Sequence, residues 1–79
     1  MVRVRLFAAL REAAGASEVP AEGRTVGEVV DGVAATYGER FAVIAAVSSF
    51  VVNGERADRG TVVAEGDEVA ILPPVSGGR

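Results

Sequence analysis

Seventy-nine residues with a formal charge of −3 and 49% hydrophobic content are enough for one small core and no second domain. The chain has no cysteine and no histidine. This excludes a thiolate nucleophile, a disulfide framework, a zinc finger and a cysteine-held iron–sulfur cluster, and removes the side chain that titrates nearest neutrality. No basic run suggests a nucleic-acid partner, and no apolar segment approaches the roughly 20 residues of a membrane span. The amino terminus lacks a secretory pattern, so the expected location is cytoplasmic. All eight basic residues are arginine, a pattern that biased codon usage explains, and no side-chain amine is present to accept an isopeptide bond.

Val2-Arg3-Val4-Arg5-Leu6 alternates, with three apolar residues on one face and two arginines on the other, and predicts a half-buried strand. Phe7 leads into Ala8 to Ala14, a short helical or turn segment that Gly15 can end in a left-handed cap. Ser17-Glu18-Val19-Pro20 reads as a weak second strand whose proline suits an edge. Thr25 and Glu28 have capping-box spacing, and Val26, Val29, Val30, Val33, Ala34 and Tyr37 form one apolar stripe of a helix that Gly38 stops. Phe41 to Ser49 fits a helical turn or an extended run equally well. Phe50-Val51-Val52 is a strand, Asn53-Gly54 a tight turn and Ala57 to Gly60 a polar connection. Thr61-Val62-Val63 is a short apolar patch, and Glu65-Gly66-Asp67 turns the chain. Glu68-Val69-Ala70-Ile71-Leu72 is the last strand. The acidic group Glu65, Asp67 and Glu68 fits a turn before a strand better than a metal site.

Two strands, a helix, then two or three strands describe an α+β domain over residues 1–74, with a mixed sheet of four to five strands packed on one main helix. The last strand belongs centrally, beside the first. This is the β-grasp, or ubiquitin-like, roll. Residues 75–79 are expected to form a flexible tail. Pro73 and Pro74 cannot both sit in a paired central strand, so pairing should stop near Leu72. From Pro74 to Gly78 the chain can reach roughly 16 Å, at about 3.3 Å per residue. Gly77 and Gly78 suit a passage too narrow for a Cβ, although a frayed terminus would read the same way.

Three stretches resemble the small subunit of molybdopterin synthase, of the ubiquitin-like sulfur-carrier family. They are Leu6 to Gly15, Val52-Asn53-Gly54, and Glu65 to Gly78 with its Leu72-Pro73-Pro74-Val75-Ser76-Gly77-Gly78 ending. The resemblance runs the length of the chain in order. It implies that the chain itself is not an enzyme and binds no cofactor. A ubiquitin-activating-like adenylyltransferase would use ATP and magnesium to adenylate Gly78, and a persulfide enzyme would supply sulfur to form the thiocarboxylate. The large synthase subunit would then accept the tail, with Pro74, Val75, Ser76 and Gly77 threading its channel. Sulfur from Gly78 would pass to the pyranopterin precursor of the molybdenum cofactor.

Phe7, Arg11, Leu72 and Pro73 are the expected partner interface, with Val75 contributing apolar area. Buried core competes as a reading for Leu72, and a solvated helix face for Arg11. Arg79 departs from the family ending, because it locks Gly78 in a peptide bond. Proteolytic removal of Arg79, a cloning remnant, and a chain that is not a carrier all fit the sequence. Related carriers for thiamin, cysteine or tRNA thiolation, and ubiquitin-like protein modifiers, share the fold and the Gly-Gly ending.

Overall fold

The alternation at the amino terminus becomes β1 (Val2–Leu6), with its three apolar side chains buried and both arginines exposed. A computed structural model describes residues 1–74 of the chain. Helix α1 (Ala8–Ala14) leaves β1 through an extended Phe7 and ends at Gly15, whose φ of 74° is the expected left-handed cap. Ala8 takes the same left-handed region, at φ 50°, to make the sharp change from strand to helix. A residue with a Cβ tolerates this only where its surroundings hold it there, at about 1–2 kcal/mol. Strand β2 (Glu18–Ala21) pairs antiparallel with β1 at the sheet edge, where Pro20 leaves no central ladder bond unmade.

Helix α2 (Val26–Tyr37) buries Val26, Val29, Val30 and Val33, as its stripe predicts. Its start is held more fully than a capping box requires. The Glu28 N–H donates to Thr25 Oγ1 at 3.2 Å, while Glu28 Oε1 accepts from the Arg24 N–H at 2.8 Å, one residue before the cap. The carbonyls of Thr61 and Arg59 accept from the Val26 and Gly27 N–H groups at 3.0 and 2.9 Å. The loop after β4 thus satisfies donors that a helix start leaves open. Within it, Val63 is buried while Val62 is 77% exposed, which splits the apolar patch read from the sequence.

The segment left open by the sequence is helical up to Ala46. Helix α3 (Glu39–Ala46) begins directly after Gly38, which therefore separates two helices and does not simply end one. Helix α2 remains the main helix, and the shorter α3 packs against it and against α1. Phe41 and Ala45, four residues apart, are buried, and the Phe41 ring lies 5.9 Å from that of Tyr37. Val43 and Val47 are exposed on the other side, and these outward valines blur the helical period.

Strand β3 (Ser49–Val52) and strand β4 (Glu55–Ala57) form a hairpin through Asn53 and Gly54, at φ 49° and 86°. The polar connection after the hairpin thus begins beyond Ala57. Strand β5 (Glu68–Leu72) lies in the sheet order β2-β1-β5-β3-β4, parallel to β1 and antiparallel to β3. The sheet is mixed and five-stranded, with its helices on the buried face: the β-grasp roll. Val4, Leu6, Leu10, Val26, Val29, Phe41, Val69 and Ile71 make the centre of the core, and among the described residues no polar side chain is buried.

A polar clasp fixes the start of β5. Asn53 Nδ2 donates to Asp67 Oδ1 at 3.0 Å, and Asn53 Oδ1 accepts from the Glu68 N–H at 3.0 Å. Asp67 Oδ2 accepts from the Ala64 N–H at 2.8 Å. The Ala64 N–H first, and then the Asn53 amide, hold the Asp67 carboxyl below its ordinary range. A depressed carboxyl adds stability that is present above its unfolded value, about 3.9, and lost as pH falls through the folded one. Urea midpoints of the native chain should therefore fall below about pH 4, and D67N should flatten that part of the profile.

Two glycines of α2 should respond in opposite directions. A Cβ at Gly32 would meet open space, so Gly32→Ala should stabilise the chain by about 1 kcal/mol. At Gly27 it would lie 3.1 Å from the Arg59 carbonyl oxygen, which that glycine's own N–H holds in place. Gly27→Ala should destabilise by about 1–3 kcal/mol in the same urea titration.

Candidate functional site

The uncovered face of the sheet is built from the alternate residues of the strands whose partners fill the core. Arg3 and Arg5 of β1, Ala70 and Leu72 of β5, and Val51 of β3 share it, with Ala70 paired to both Arg5 and Val51. Leu72 is paired with Ser49 and half-buried, whereas its neighbour Ile71 is fully buried. The parallel register ends at Leu6–Ile71, and continued by one residue it sets the extended Phe7 beside Leu72. The Arg5 guanidinium carbon lies 5.8 Å from the Phe7 ring centroid, a cation–π contact worth about 0.5–1 kcal/mol at an exposed site. Arg3 and Arg5 approach the two Glu68 oxygens at 3.7 and 3.9 Å. The result is a small apolar patch with an arginine rim.

The chain leaves the sheet from this patch. Pro73 is half-buried and Pro74 exposed, directly after the last paired residue. Phe7, Leu72 and Pro73 therefore lie at one end of the sheet. Arg11 is exposed one helical turn beyond Phe7, whose carbonyl accepts from the Arg11 N–H at 3.4 Å, and its side chain has no ion-pair partner among the described residues. The expectations for Val75, Ser76, Gly77, Gly78 and Arg79 lie outside the described residues. Arg3, Arg5, Val51 and Ala70 were missed as members of the patch. Strand alternation marks Arg3, Arg5 and Ala70, but Val51 lies in a continuous apolar run that has no period.

The acidic residues near β5 are engaged separately. Glu65 pairs with the Met1 amine, Asp67 with Ala64 and Asn53, and Glu68 with the two arginines. Among the described residues no three carboxylates converge to hold a metal ion. No helix among them is long and apolar enough to cross a membrane.

The fold and this exit define a ubiquitin-like protein of the carrier and modifier type. The chain belongs to the ThiS family, whose model matches residues 4–78, and is thus a small sulfur carrier or modifier of that family. It is similar to SAMP1 of Haloferax volcanii, at 34% identity and a TM-score of 0.76 over 98% of each chain. A chain of the Amycolatopsis orientalis BexX/CysO complex matches at 29% identity and a TM-score of 0.83, covering 99% of this chain and 100% of that one. A candidate molybdopterin converting factor subunit 1 from Pyrococcus furiosus matches at 27% identity and a TM-score of 0.77, over 94% and 97%.

Adjacent positions on β5 should separate core from patch. Ile71→Ala should cost about 2–5 kcal/mol in urea unfolding. Leu72→Ala, which loses only half-buried area, should cost no more than about 1.5 kcal/mol.

Proposed function

We propose that this chain is the sulfur-carrying subunit of a molybdopterin synthase, with Gly78 as the carrier group. The observation that carries the reading is the run from Leu72 through Pro73 and Pro74, which ends sheet pairing beside an apolar patch and continues in sequence as Val75-Ser76-Gly77-Gly78. The similarity to the Pyrococcus furiosus chain supports the pathway. The BexX/CysO complex supports the use of a protein partner.

In this reading hydrolysis of the Gly78–Arg79 bond first frees the Gly78 carboxylate, which a ubiquitin-activating-like adenylyltransferase, with ATP and magnesium, turns into an acyl-adenylate with release of pyrophosphate. Adenylation replaces a poor leaving group with AMP. The terminal sulfur of a persulfide donor displaces AMP to give an acyl disulfide. A second thiol reduces that disulfide, releasing the thiocarboxylate and leaving a disulfide on the donor. The larger synthase subunit receives the tail. Pro73 and Pro74 restrict the free tail and so reduce the entropy lost on insertion. Pro74, Val75, Ser76 and Gly77 lie in its channel, and Phe7, Arg11, Leu72 and Pro73 meet its surface. The chemistry resides on the partners, which is how a chain without cysteine or histidine can serve sulfur transfer.

A second reading rests on the 34% identity to SAMP1, a modifier by name: the same activated Gly78 would be joined to protein lysines. One experiment separates the two. The chain, trimmed of Arg79 so that it ends at Gly78, is incubated with the activating enzyme, ATP, magnesium, a persulfide donor and a thiol reductant, and its mass is read intact. A species ending at Gly78 and heavier by one sulfur-for-oxygen exchange is expected, along with sulfur transfer to a pyranopterin when the large subunit is added. A chain that remains unchanged, or retains activity after deletion of Gly77 and Gly78, would refute the carrier reading. Lysine adducts in cells without pterin product would establish the modifier. Leu72→Arg should weaken partner binding at least about tenfold by titration calorimetry while the chain stays folded.

A further inference from the structure

Asn53 and Gly54 form the dipeptide in which an asparagine side chain is most open to attack by its own backbone. Glycine adds no side chain beside the attacking nitrogen, and a Cβ built at Gly54 would meet nothing within 4 Å. Asn53 itself is exposed at the tip of the β3–β4 hairpin. Nothing steric shields this pair. What restrains it is the clasp to β5.

Three hydrogen bonds hold Asn53 against the start of β5. Its backbone N–H donates to the Glu68 carbonyl at 2.9 Å, its Oδ1 accepts from the Glu68 N–H at 3.0 Å, and its Nδ2 donates to Asp67 Oδ1 at 3.0 Å. The carboxamide thus takes the place of one further backbone group in the β3–β5 ladder. Asp67 is in turn fixed through its other oxygen by the Ala64 N–H at 2.8 Å. With both ends of the amide engaged, its carbon is not free to turn onto the Gly54 nitrogen.

We propose that Asn53 is a deamidation site gated by Asp67, closed while the carboxamide is clasped to β5 and open to one-way conversion whenever the clasp is released. In the reaction the Gly54 nitrogen loses its proton and bonds to Asn53 Cγ. The bond from Cγ to Nδ2 breaks, and ammonia leaves with the proton. The resulting five-membered imide is hydrolysed by water at either carbonyl, giving aspartate or isoaspartate. No oxidant or reductant takes part.

Neither product can restore the clasp. An aspartate has no N–H to offer Asp67 and would set a second carboxylate at the contact now spanned by the 3.0 Å bond. An isoaspartate adds a methylene to the backbone inside a two-residue turn whose register sets Val52 opposite both Glu55 and Val69. Each opening therefore carries a finite chance of a permanent change, and the modified fraction records how often β5 has been unclasped.

The test compares the native chain, D67N and D67A with the unclasped peptide Val-Asn-Gly-Glu, all incubated at neutral pH. Aspartate plus isoaspartate at position 53 is counted by peptide mapping, and circular dichroism verifies that each variant is folded. Two lost side-chain hydrogen bonds correspond to a rate difference on the order of ten- to a hundredfold, so the native chain should deamidate slower than the peptide by about that factor. D67A, which loses one of the two bonds, should deamidate about three- to tenfold faster than the native chain, and D67N, which keeps an acceptor oxygen, should fall between the two. If D67A does not fold, D67N decides. A native chain that deamidates at the peptide rate, or folded D67 variants as slow as the native chain, would overturn the proposal. Neither result depends on whether Gly78 carries sulfur.

Discussion

The rest of the structure depends on the two-sided pairing of β5. Its parallel bonds to β1 and antiparallel bonds to β3 place it at the sheet centre, where Val69 and Ile71 complete the core beneath the helices. The same register turns Ala70 and Leu72 to the open face and brings Phe7 alongside. One strand thus joins the interior to the docking patch, and a shift of one residue would exchange the two. This explains the hydrogen bonding at the start of β5, where Asn53 and Asp67 set the register before the strand begins. It also explains why two prolines follow directly, since nothing beyond Leu72 should prolong the ladder.

The described core is entirely apolar, and the polar side chains of the domain lie at its surface. The fold holds the end of β5 in a fixed relation to the patch of Phe7, Ala70 and Leu72. The relatives differ in what their names say they do, yet they keep the same fold over nearly the whole chain.

Much of this was legible in the sequence because the signals were local and agreed with one another. Alternation marked β1, the valine stripe and Thr25 marked α2, and Asn53-Gly54 marked the hairpin. The central position of β5 followed from its apolar run. Helix α3 was not legible because Val43 and Val47 face outward and Gly38 resembled a plain stop. The peptide carbonyls that cap α2 come from Arg59 and Thr61, some thirty residues downstream, and carry no side-chain signature. Of the candidate site, the exit and its flanking Phe7 and Leu72 could be read from the motifs. Val51 could not, because membership of a face is decided by pairing partners, and an unbroken apolar run leaves that choice to the fold.

The parallel pairing of β1 and β5 has a practical corollary. Met1 lies beside Gly66, whose N–H donates to the Met1 carbonyl at 3.1 Å, so the amino end and the tail exit are at opposite poles of the sheet. Five residues of strand separate those poles, about 17 Å. A fluorophore or affinity handle joined at Met1 would therefore stand clear of Phe7, Leu72 and whatever receives the tail. The same handle placed after Pro74 would stand at the end of the sheet that carries Phe7 and Leu72.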